Sequence, residues 1–289
     1  MSSEAERRLT IFDLEEEAPD RFRGPNWNIG WPRVFGGQVV AQALAAAART
    51  VDPARPPHSL HLYFILAGDP DFPFITYEVD RIRDGGSFST RHVVARQGER
   101  AIFSLAASFQ VEEEGFEHQT AMPDVAGPEG LLGGDAAKER YLAHAHEQMR
   151  HYWSQEPLME FRPVRFHEPS ATHDVPPHQH VWFRPKAKLP DDPLIHQAVL
   201  AYASDITLLD TSLLTHGRNI LDPDFLGASL DHAMWFHRPF RFDDWMLFTH
   251  SSPNASGGRG LSWGSFFTRD GRLVASVAQE GLLRAMKPR

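Results

Sequence analysis

The sequence predicts an α+β protein built from two similar units, each with a long buried helix wrapped by an antiparallel β-sheet. Two stretches rich in Ala and Leu, residues 36–49 and 193–214, carry apolar side chains on nearly every side. Such a helix is typically enclosed by other elements. Four strand-like segments follow each stretch, and the short turns between them favour hairpins over helical crossovers. A chain of 289 residues is long enough for two cores.

The first unit contains the helix predicted at Gly36–Arg49. Its two leading glycines, Gly36 and Gly37, allow another backbone to approach closely, and they leave free N–H groups at the helix start. The strands of this unit are rich in β-branched and aromatic residues, and Gly, Asp and Pro separate them. We predict these strands at His58–Leu66, Phe74–Arg83, Ser87–Gln97 and Ala101–Val111.

The middle of the chain changes character. It is rich in Gly and Pro, and its one helical segment is predicted at Ala136–Trp153. The second unit then opens with a strand at His180–Lys188 and continues with the helical stretch Pro193–Leu214. Its later strands are predicted at Leu230–Pro239, Trp245–Ser251, Gly260–Thr268 and Leu273–Leu283. We therefore expect an N-terminal unit at residues 1–115, a linker with one helix at 116–178, and a C-terminal unit at 179–289.

The two units also match each other in sequence. Leu62-Tyr63-Phe64 resembles Met234-Trp235-Phe236, and the segment at 102–106 resembles the one at 274–278. A repeat of this period indicates a duplicated domain rather than a solenoid. A helix wrapped by an antiparallel sheet, present twice in one chain, is the arrangement called a double hotdog.

Composition excludes several classes of function. With 29 basic and 38 acidic side chains the net charge is −9, so we expect no nucleic-acid partner. The absence of Cys excludes disulfides, zinc–thiolate sites, iron–sulfur clusters and a thiol nucleophile. No apolar run is long enough to span a membrane, and the acidic N-terminus does not resemble a signal peptide. We expect a soluble, cytoplasmic protein.

Two motifs suggest chemistry that their surroundings do not support. G-x-S-x-G at residues 260–264 occurs around the nucleophile of serine hydrolases, but the residues after it continue as a strand and no His follows His250. H-E-x-x-x-H at residues 146–151 is one residue longer than a zincin motif. On a helix its two His side chains would point about 140° apart, so we interpret them as part of a solvated linker helix.

Three polar residues of the second unit are better candidates for a site. Asp205 lies inside an apolar helical stretch, so its carboxylate is either poised for proton chemistry or is a helix-capping or structural Asp. Gln279 follows small apolar residues, at the position where the first repeat has Ala107. Ser229 precedes a predicted strand, which is also a common place for a turn residue. Together with the glycines that open the first helix, these residues suggest one site between the units.

Six motifs occur in the order expected for one family: VFGGQVV (34–40), RDGGSFS (83–89), GFEHQ (115–119), YASD (202–205), DHAMWFHRPF (231–240) and VAQEG (277–281). By these motifs the chain resembles the type II acyl-CoA thioesterases, the TesB-like double-hotdog family. The resemblance extends from Leu9 to Arg284.

The resemblance implies hydrolysis of an acyl-CoA thioester to a free acid and CoA. The catalytic set of the family maps to Asp205, Ser229 and Gln279, with Ser where many bacterial relatives have Thr. Asp205 would act as general base on a water that Ser229 and Gln279 hold. We expect the oxyanion donors at the helix start near Gly37. His58 is a lesser site candidate, and a satisfied histidine near a strand end is the alternative.

The resemblance implies no metal ion and no organic cofactor, and acyl-CoA is the expected partner. Because relatives form dimers or tetramers of the double unit, we expect a homo-oligomer. The depth of the acyl tunnel depends on which of five large side chains point inward: Phe35, Tyr63, Phe64, Met234 and Trp235.

Two other functions remain open for a hotdog fold. A hydratase or dehydratase typically uses an Asp/His or Glu/His pair, and the sequence indicates no His next to Asp205. A non-catalytic acyl-CoA-binding protein would have one member of the catalytic set missing or blocked, and none is missing here.

Overall fold

The structure is a computed structural model that describes residues 9–142, 157–166, 175–220, 222 and 224–286. Its strands are β1 (Glu15–Ala18), β2 (Arg21–Pro25), β3 (Pro57–Phe64), β4 (Phe74–Asp84), β5 (Phe88–Gln97), β6 (Arg100–Gln110), β7 (Met159–Pro163), β8 (His178–Pro185), β9 (Phe225–Ser229), β10 (Asp231–Phe236), β11 (Met246–Ser256), β12 (Arg259–Thr268) and β13 (Leu273–Ala285). Its α-helices are α1 (Gly36–Ala48), α2 (Gly134–Leu142) and α3 (Pro193–Ser204).

All thirteen strands belong to one antiparallel sheet. The order is β1-β2-β4-β5-β6-β3-β10-β13-β12-β11-β8-β7, and β9 pairs with β13. The two halves of the sheet have the same strand order when each is followed outward from the central pair. The order is β3, β6, β5, β4 on one side, and the corresponding strands β10, β13, β12, β11 on the other. The central pair is β3 with β10, where Asp231 lies opposite Tyr63 and Trp235 opposite Ser59. The predicted duplication and the α+β class are confirmed by this arrangement.

Two helices form the core that the sheet wraps. Every residue of α1 from Gly37 to Ala47 is buried, as its all-round apolar sequence predicts. Helix α3 packs against α1, and its start is fixed by Pro193 at the first helical position and by the Asp192 carboxylate, which accepts a hydrogen bond from the Leu194 N–H at 2.9 Å.

The prediction of one continuous helix at Pro193–Leu214 is wrong. Helix α3 ends at Ser204, a turn follows, and a 3₁₀ helix spans Leu209–His216. The Ser204 hydroxyl bonds back to the carbonyl oxygen of Ala201 at 2.8 Å, and β-branched Ile206 and Thr207 follow, which disfavours continuation of the helix. Asp205 is therefore the C-cap residue that follows α3, not a residue on the face of a longer helix.

Four short strands were not predicted. Strands β1 and β2 lie at one edge of the sheet, β7 lies at the other edge, and β9 adds to β13. Strand β1 has the sequence EEEA, which lacks the residues that favour strands, and β9 contains small residues (FLGAS). Strand β7 falls inside the predicted linker 116–178 and pairs with β8. The domain boundaries themselves stay a prediction.

Part of the predicted linker covers the outer face of the second half of the sheet. Met122, Val125 and Leu131 pack on a buried cluster, and the indole N–H of Trp182 donates to the carbonyl oxygen of Ala126 at 2.9 Å. The cluster comprises Trp182, Trp245, Leu247 and Phe267. These three side chains of the linker thus pack on the sheet, whereas residues 112–121 are exposed.

Helix α2 accounts for the start of the predicted helix Ala136–Trp153, whose later residues and the H-E-x-x-x-H motif lie outside the described residues. Within the described part of the chain, no helix is long and apolar enough to cross a membrane.

The start of α1 touches the end of α3 so closely that only glycine fits there. A Cβ atom at Gly37 would overlap the carbonyl oxygen of Tyr202, and one at Gly36 would lie 2.7 Å from the Asp205 carboxylate. The Phe35 and Tyr202 rings meet edge to face beside this contact, with centroids 4.9 Å apart. The predicted close approach at these two glycines is confirmed.

We expect Gly37→Ala to lower the free energy of unfolding by about 1–3 kcal/mol, because a backbone oxygen on α3 cannot move aside without shifting the helix. Urea denaturation measures the change. Gly86→Ala is the matched control, since a Cβ atom there meets nothing within 4 Å. Equal stability of the two variants would contradict the tight contact.

Candidate active site

A cavity of about 420 Å³ opens where the two halves of the chain meet. The first half contributes the start of α1 and the end of β3, and the second half contributes the turn after α3, the 3₁₀ helix and the end of β9. Much of the wall is apolar, including Val34, Phe35, Val39, Phe64, Ile102, Phe103, Phe161 and Val181. Polar groups are concentrated in the second half and at Arg33.

Asp205 lies on the cavity wall and joins the two helices. Helix α1 has no side-chain cap of its own, and the Asp205 carboxylate accepts a hydrogen bond from the Gly37 N–H in its first turn. The carboxylate also accepts hydrogen bonds from the Ser229 hydroxyl and from Gln279 Nε2, the latter at 3.1 Å. Asp205 therefore combines the two alternatives left open by its sequence: it caps a helix, and it faces a cavity.

Gln279 and Ser229 stand beside this carboxylate. Gln279 lies on β13 and is almost fully buried, and its Nε2 donates both to Asp205 and to the Ser229 Oγ. Ser229 is the last residue of β9 and lies opposite Gly281 on β13. Asp205 and Ser229 line the cavity, whereas Gln279 stands behind them. The structure thus brings together the three residues selected from the sequence, and their catalytic roles stay a prediction.

Burial makes the two carboxyl groups on the cavity wall, Asp205 and Asp210, harder to ionise. Burial raises the pKa of Asp205 to about 6, although its hydrogen bonds and the positive charge of Arg33 favour the carboxylate. Burial also raises the pKa of Asp210 to about 7, and the charge of Asp205 adds to this effect. Asp210 Oδ1 is buried on the cavity wall and has no hydrogen-bond partner among the described residues. Neither Arg33 nor Asp210 was selected from the sequence.

Arg33 is held in place by backbone rather than by a carboxylate. It is partly buried beside the cavity and donates a hydrogen bond to the carbonyl oxygen of Gly227, in the middle of β9. Burial lowers the pKa of Arg33, while the Asp205 charge raises it. Arg33 could have been identified from the sequence, because it directly precedes the VFGG motif.

His232 is a third residue that sequence analysis missed. It lies on β10 with a side chain 1% exposed, and its Nδ1 is 3.1 Å from Gln279 Oε1. We expected no His next to Asp205. The structure places His232 one residue further away, with the Gln279 side chain between the two. His232 does not line the cavity, so it does not form an Asp/His pair facing a substrate.

His58 is not brought to this site. It lies near the start of β3, while Phe64 at the other end of that strand lines the cavity, about 20 Å away at ~3.3 Å per residue. Its Nε2 is 2.8 Å from the Ser108 hydroxyl, and its ring contacts Phe88 edge to face. These contacts match the alternative of a satisfied histidine near a strand end.

Of the five large side chains considered for the acyl tunnel, two line the cavity. Phe35 and Phe64 line the cavity, whereas Tyr63 is largely exposed and Trp235 packs against the ring of His61. Met234 is fully buried but does not line the cavity.

The G-x-S-x-G motif is part of β12, as predicted. Ser262 lies directly opposite Gln279 on β13, inside the sheet rather than on a nucleophile turn. The flanking glycines are required for packing, since a Cβ atom at Gly260 would lie 2.5 Å from the Ser212 hydroxyl oxygen and one at Gly264 would overlap the Phe248 ring. Among the described residues, no group of three or more His, Asp or Glu could hold a metal ion.

Comparisons with known proteins match both halves of the chain. A family model described as acyl-CoA thioesterase matches residues 149–282, and one described as acyl-CoA thioesterase N-terminal domain matches residues 23–110. Acyl-CoA thioesterase 2 of Haemophilus influenzae is 38% identical over 284 residues, covering 98% of this chain and 99% of that protein. The chain belongs to the acyl-CoA thioesterase family.

Human acyl-coenzyme A thioesterase 8 is 41% identical over 287 residues, which cover 96% of this chain and 89% of the human protein. The crystal structure of an acyl-CoA thioesterase II, TesB2, from Mycobacterium marinum superposes with a TM-score of 0.78 at 41% identity. The aligned region covers 96% of this chain and 97% of the Mycobacterium marinum protein. The thioesterase resemblance and the double-hotdog fold predicted from the sequence are thereby confirmed.

We expect Asp205→Asn to stabilise this thioesterase at pH 8. Because folding raises the pKa of Asp205, the carboxyl contribution to stability is full below about pH 4 and is lost as the pH rises through about 6. Replacing the group with a neutral amide avoids that loss, which amounts to roughly 3 kcal/mol at ~1.4 kcal/mol per pKa unit.

Thermal unfolding at pH 8 and pH 4 measures the effect. The melting temperature of Asp205→Asn should exceed that of wild type at pH 8 and match it at pH 4, while Asp13→Asn, at an exposed carboxyl, should match wild type at both. A variant that is less stable than wild type at pH 8 would show that the charged form of Asp205 supports the fold.

Proposed function

We propose that this protein hydrolyses acyl-CoA thioesters to a free acid and CoA with a water activated by Asp205, Ser229 and Gln279. One observation carries the proposal: these three side chains, from three separate elements, form a hydrogen-bonded set at the wall of a largely apolar cavity. An apolar wall suits an acyl chain, and a carboxyl with a pKa of about 6 suits a general base near neutral pH.

In this mechanism a water bound between Asp205 and Ser229 attacks the thioester carbonyl carbon. Asp205 accepts a proton from the water as the new C–O bond forms, and a tetrahedral oxyanion results. Its collapse breaks the C–S bond, and the proton on Asp205 passes to the CoA sulfur. Because Gln279 does not line the cavity, its role is to hold Asp205 and Ser229 rather than to touch the water.

The oxyanion would be stabilised by the first turn of α1, where backbone N–H groups lack helical partners and the helix dipole is positive. The N–H of Gly37, our expected donor, bonds to the Asp205 carboxylate in this structure. Gly36 lines the cavity and lies in the same turn, so it is the nearer candidate for contact with the substrate oxygen.

The two alternative functions receive less support. A hydratase would need a His facing the substrate beside the acid, and the His232 ring is occupied behind the wall by Gln279 and Ser204. A binding-only protein would need a gap in the set, and the three side chains are all in hydrogen-bond contact.

The test is release of free thiol from acyl-CoAs of two, eight and sixteen carbons. We expect turnover by wild type and a fall of roughly 10²–10⁴-fold in Asp205→Asn, because the water loses its base. Ser229→Ala and Gln279→Ala should each cost less, and their double variant should lose less than the product of the single losses, since both act on one arrangement.

Ser262→Ala is the matched control, because this serine also lies beside Gln279 but has no hydrogen-bond partner among the described residues. It should keep wild-type turnover. Full activity in Asp205→Asn would reject Asp205 as the general base. Loss of activity in Ser262→Ala alone would instead favour a serine nucleophile. No thiol release from any acyl-CoA by folded wild type would reject hydrolysis.

The pH dependence of turnover follows from the same carboxyls. Asp205 must be ionised to accept a proton, so kcat/KM should fall about tenfold per pH unit below about pH 6. Arg33 is the facing charge that favours ionisation of Asp205. Asp210, whose pKa burial raises to about 7, is mostly protonated where Asp205 titrates. Arg33→Gln should therefore move the acid limb to higher pH, whereas Asp210→Asn should leave it in place. A limb that stays in place, or moves down, in Arg33→Gln would contradict the coupling.

We also propose that the protein is a cytoplasmic homo-oligomer, a dimer or tetramer, with no nucleic-acid partner. The outer face of the sheet leaves Tyr63 (66% exposed) and Trp263 (52% exposed) available for contact with a second copy. A sedimentation mass equal to one chain would contradict this assembly.

A further inference from the structure

His232 connects the site to the body of the second unit. Its side chain is buried between two partners: Nδ1 lies 3.1 Å from Gln279 Oε1, and Nε2 lies 3.0 Å from the Ser204 hydroxyl. Ser204 ends α3 and immediately precedes Asp205. The ring thus bridges the strand that carries Gln279 and the helix that carries the acid.

Hydrogen-bond accounting fixes the state of this ring. Gln279 Nε2 donates to Asp205 and to Ser229, so its Oε1 must accept. His232 must therefore carry its proton on Nδ1. Its Nε2 is then an acceptor, and the single Ser204 hydroxyl hydrogen is shared between this nitrogen at 3.0 Å and the Ala201 carbonyl oxygen at 2.8 Å. A neutral ring agrees with the burial, which lowers the pKa of His232 to about 4.

The amide of Gln279 has only one orientation that serves the site. If it were turned by 180°, Oε1 would face the Asp205 carboxylate, two acceptors in contact, and Nε2 would face the Nδ1–H of His232. One contact would then join two acceptors and the other two donors, so two buried donors would lose their hydrogen-bond partners. A donor at Nδ1 of His232 therefore selects the orientation in which both amide hydrogens point toward Asp205 and Ser229.

The duplicated half provides an internal comparison. In the first half Leu60 pairs with Ala107 across β3 and β6. Ala233 pairs with Ala278 across β10 and β13, which places His232 and Gln279 at the positions equivalent to Leu60 and Ala107. Both members of the pair are apolar in the half without a site, and both are polar in the half with Asp205.

We propose that His232 is a positioning residue for this reaction: its Nδ1–H holds the Gln279 amide in the orientation that directs Asp205 and Ser229 toward the water. The inference rests on the proposed hydrolysis. His232 does not touch the substrate, so its removal should change the rate of the bound complex more than the binding of substrate.

The test uses two amides that mimic different ring nitrogens. Asn at position 232 places its N–H₂ near the site of Nδ1, whereas Gln places its N–H₂ near the site of Nε2. We expect His232→Asn to retain kcat within about fivefold of wild type. His232→Gln and His232→Leu should lose ~10- to 100-fold in kcat, the range seen when a hydrogen-bond partner of a metal ligand is removed, with KM changed by about twofold or less.

The protonation of the ring is measured separately in the wild-type protein by ¹⁵N NMR of its histidines, assigned by comparison with His232→Asn. We expect a neutral ring with the proton on Nδ1 at pH 7. This measurement needs no variant that folds poorly and no turnover, so it tests the inference even if acyl-CoA hydrolysis fails. Absence of thiol release by wild type would instead reject the proposed function.

Three results would overturn the proposal: a proton on Nε2, equal kcat for His232→Asn and His232→Gln, or wild-type kcat in His232→Leu. A loss confined to KM would also overturn it, because it would assign His232 to the shape of the binding cavity. Thermal unfolding of each variant confirms that the kinetic comparisons are made on folded protein.

Discussion

The contact between the Asp205 carboxylate and the start of α1 is the constraint on which the rest of this structure depends. The first N–H groups of a helix need acceptors, and α1 offers no capping side chain of its own. The second half of the chain provides the acceptor. The pair of glycines, the end of α3 at Ser204 and the position of the cavity all follow from bringing this carboxylate to that helix end.

In this contact, the pKa of Asp205 that best suits capping of the helix differs from the pKa that best suits proton transfer. Hydrogen bonds from Gln279, Gly37 and Ser229 favour the ionised carboxyl, yet burial outweighs them, and the result is an acid that titrates near neutral pH. A fully satisfied, deeply ionised Asp would cap α1 better but would accept a proton poorly. Asp210 is a second buried carboxyl on the same wall, and burial together with the Asp205 charge raises its pKa to about 7.

Local patterns were sufficient to predict the elements with strong periodicity. The buried helix α1 and nine of the strands lie close to their predicted positions, because apolar and β-branched runs between turns encode them directly. Strand β9 was missed because small residues such as Gly227 and Ala228 carry little strand preference. The break after Ser204 was missed because its cause, a side chain bonding to its own backbone, leaves the apolar pattern intact.

The site was predictable only in part, for a related reason. Asp205 and Gln279 could be selected because a polar group interrupts an apolar pattern. His232 occupies an inward position in an alternating strand, and nothing in its neighbours distinguishes a buried ring from an exposed one. Its significance comes from Ser204 and Gln279, which are distant in sequence and meet it only in the folded chain.

The pairing of β3 with β10 has a consequence for how the chain is made. Gly37 and Asp205 are roughly 170 residues apart, so the first half leaves the ribosome with its central strand edge unpaired and its buried helix uncapped. At ~5–20 residues per second, this half waits on the order of ten seconds or longer for its complement. During that interval an exposed edge like that of β3 is a template for pairing with another chain. Because the sheet is completed only by the second half, the edge of β3 stays open until β10 has been made.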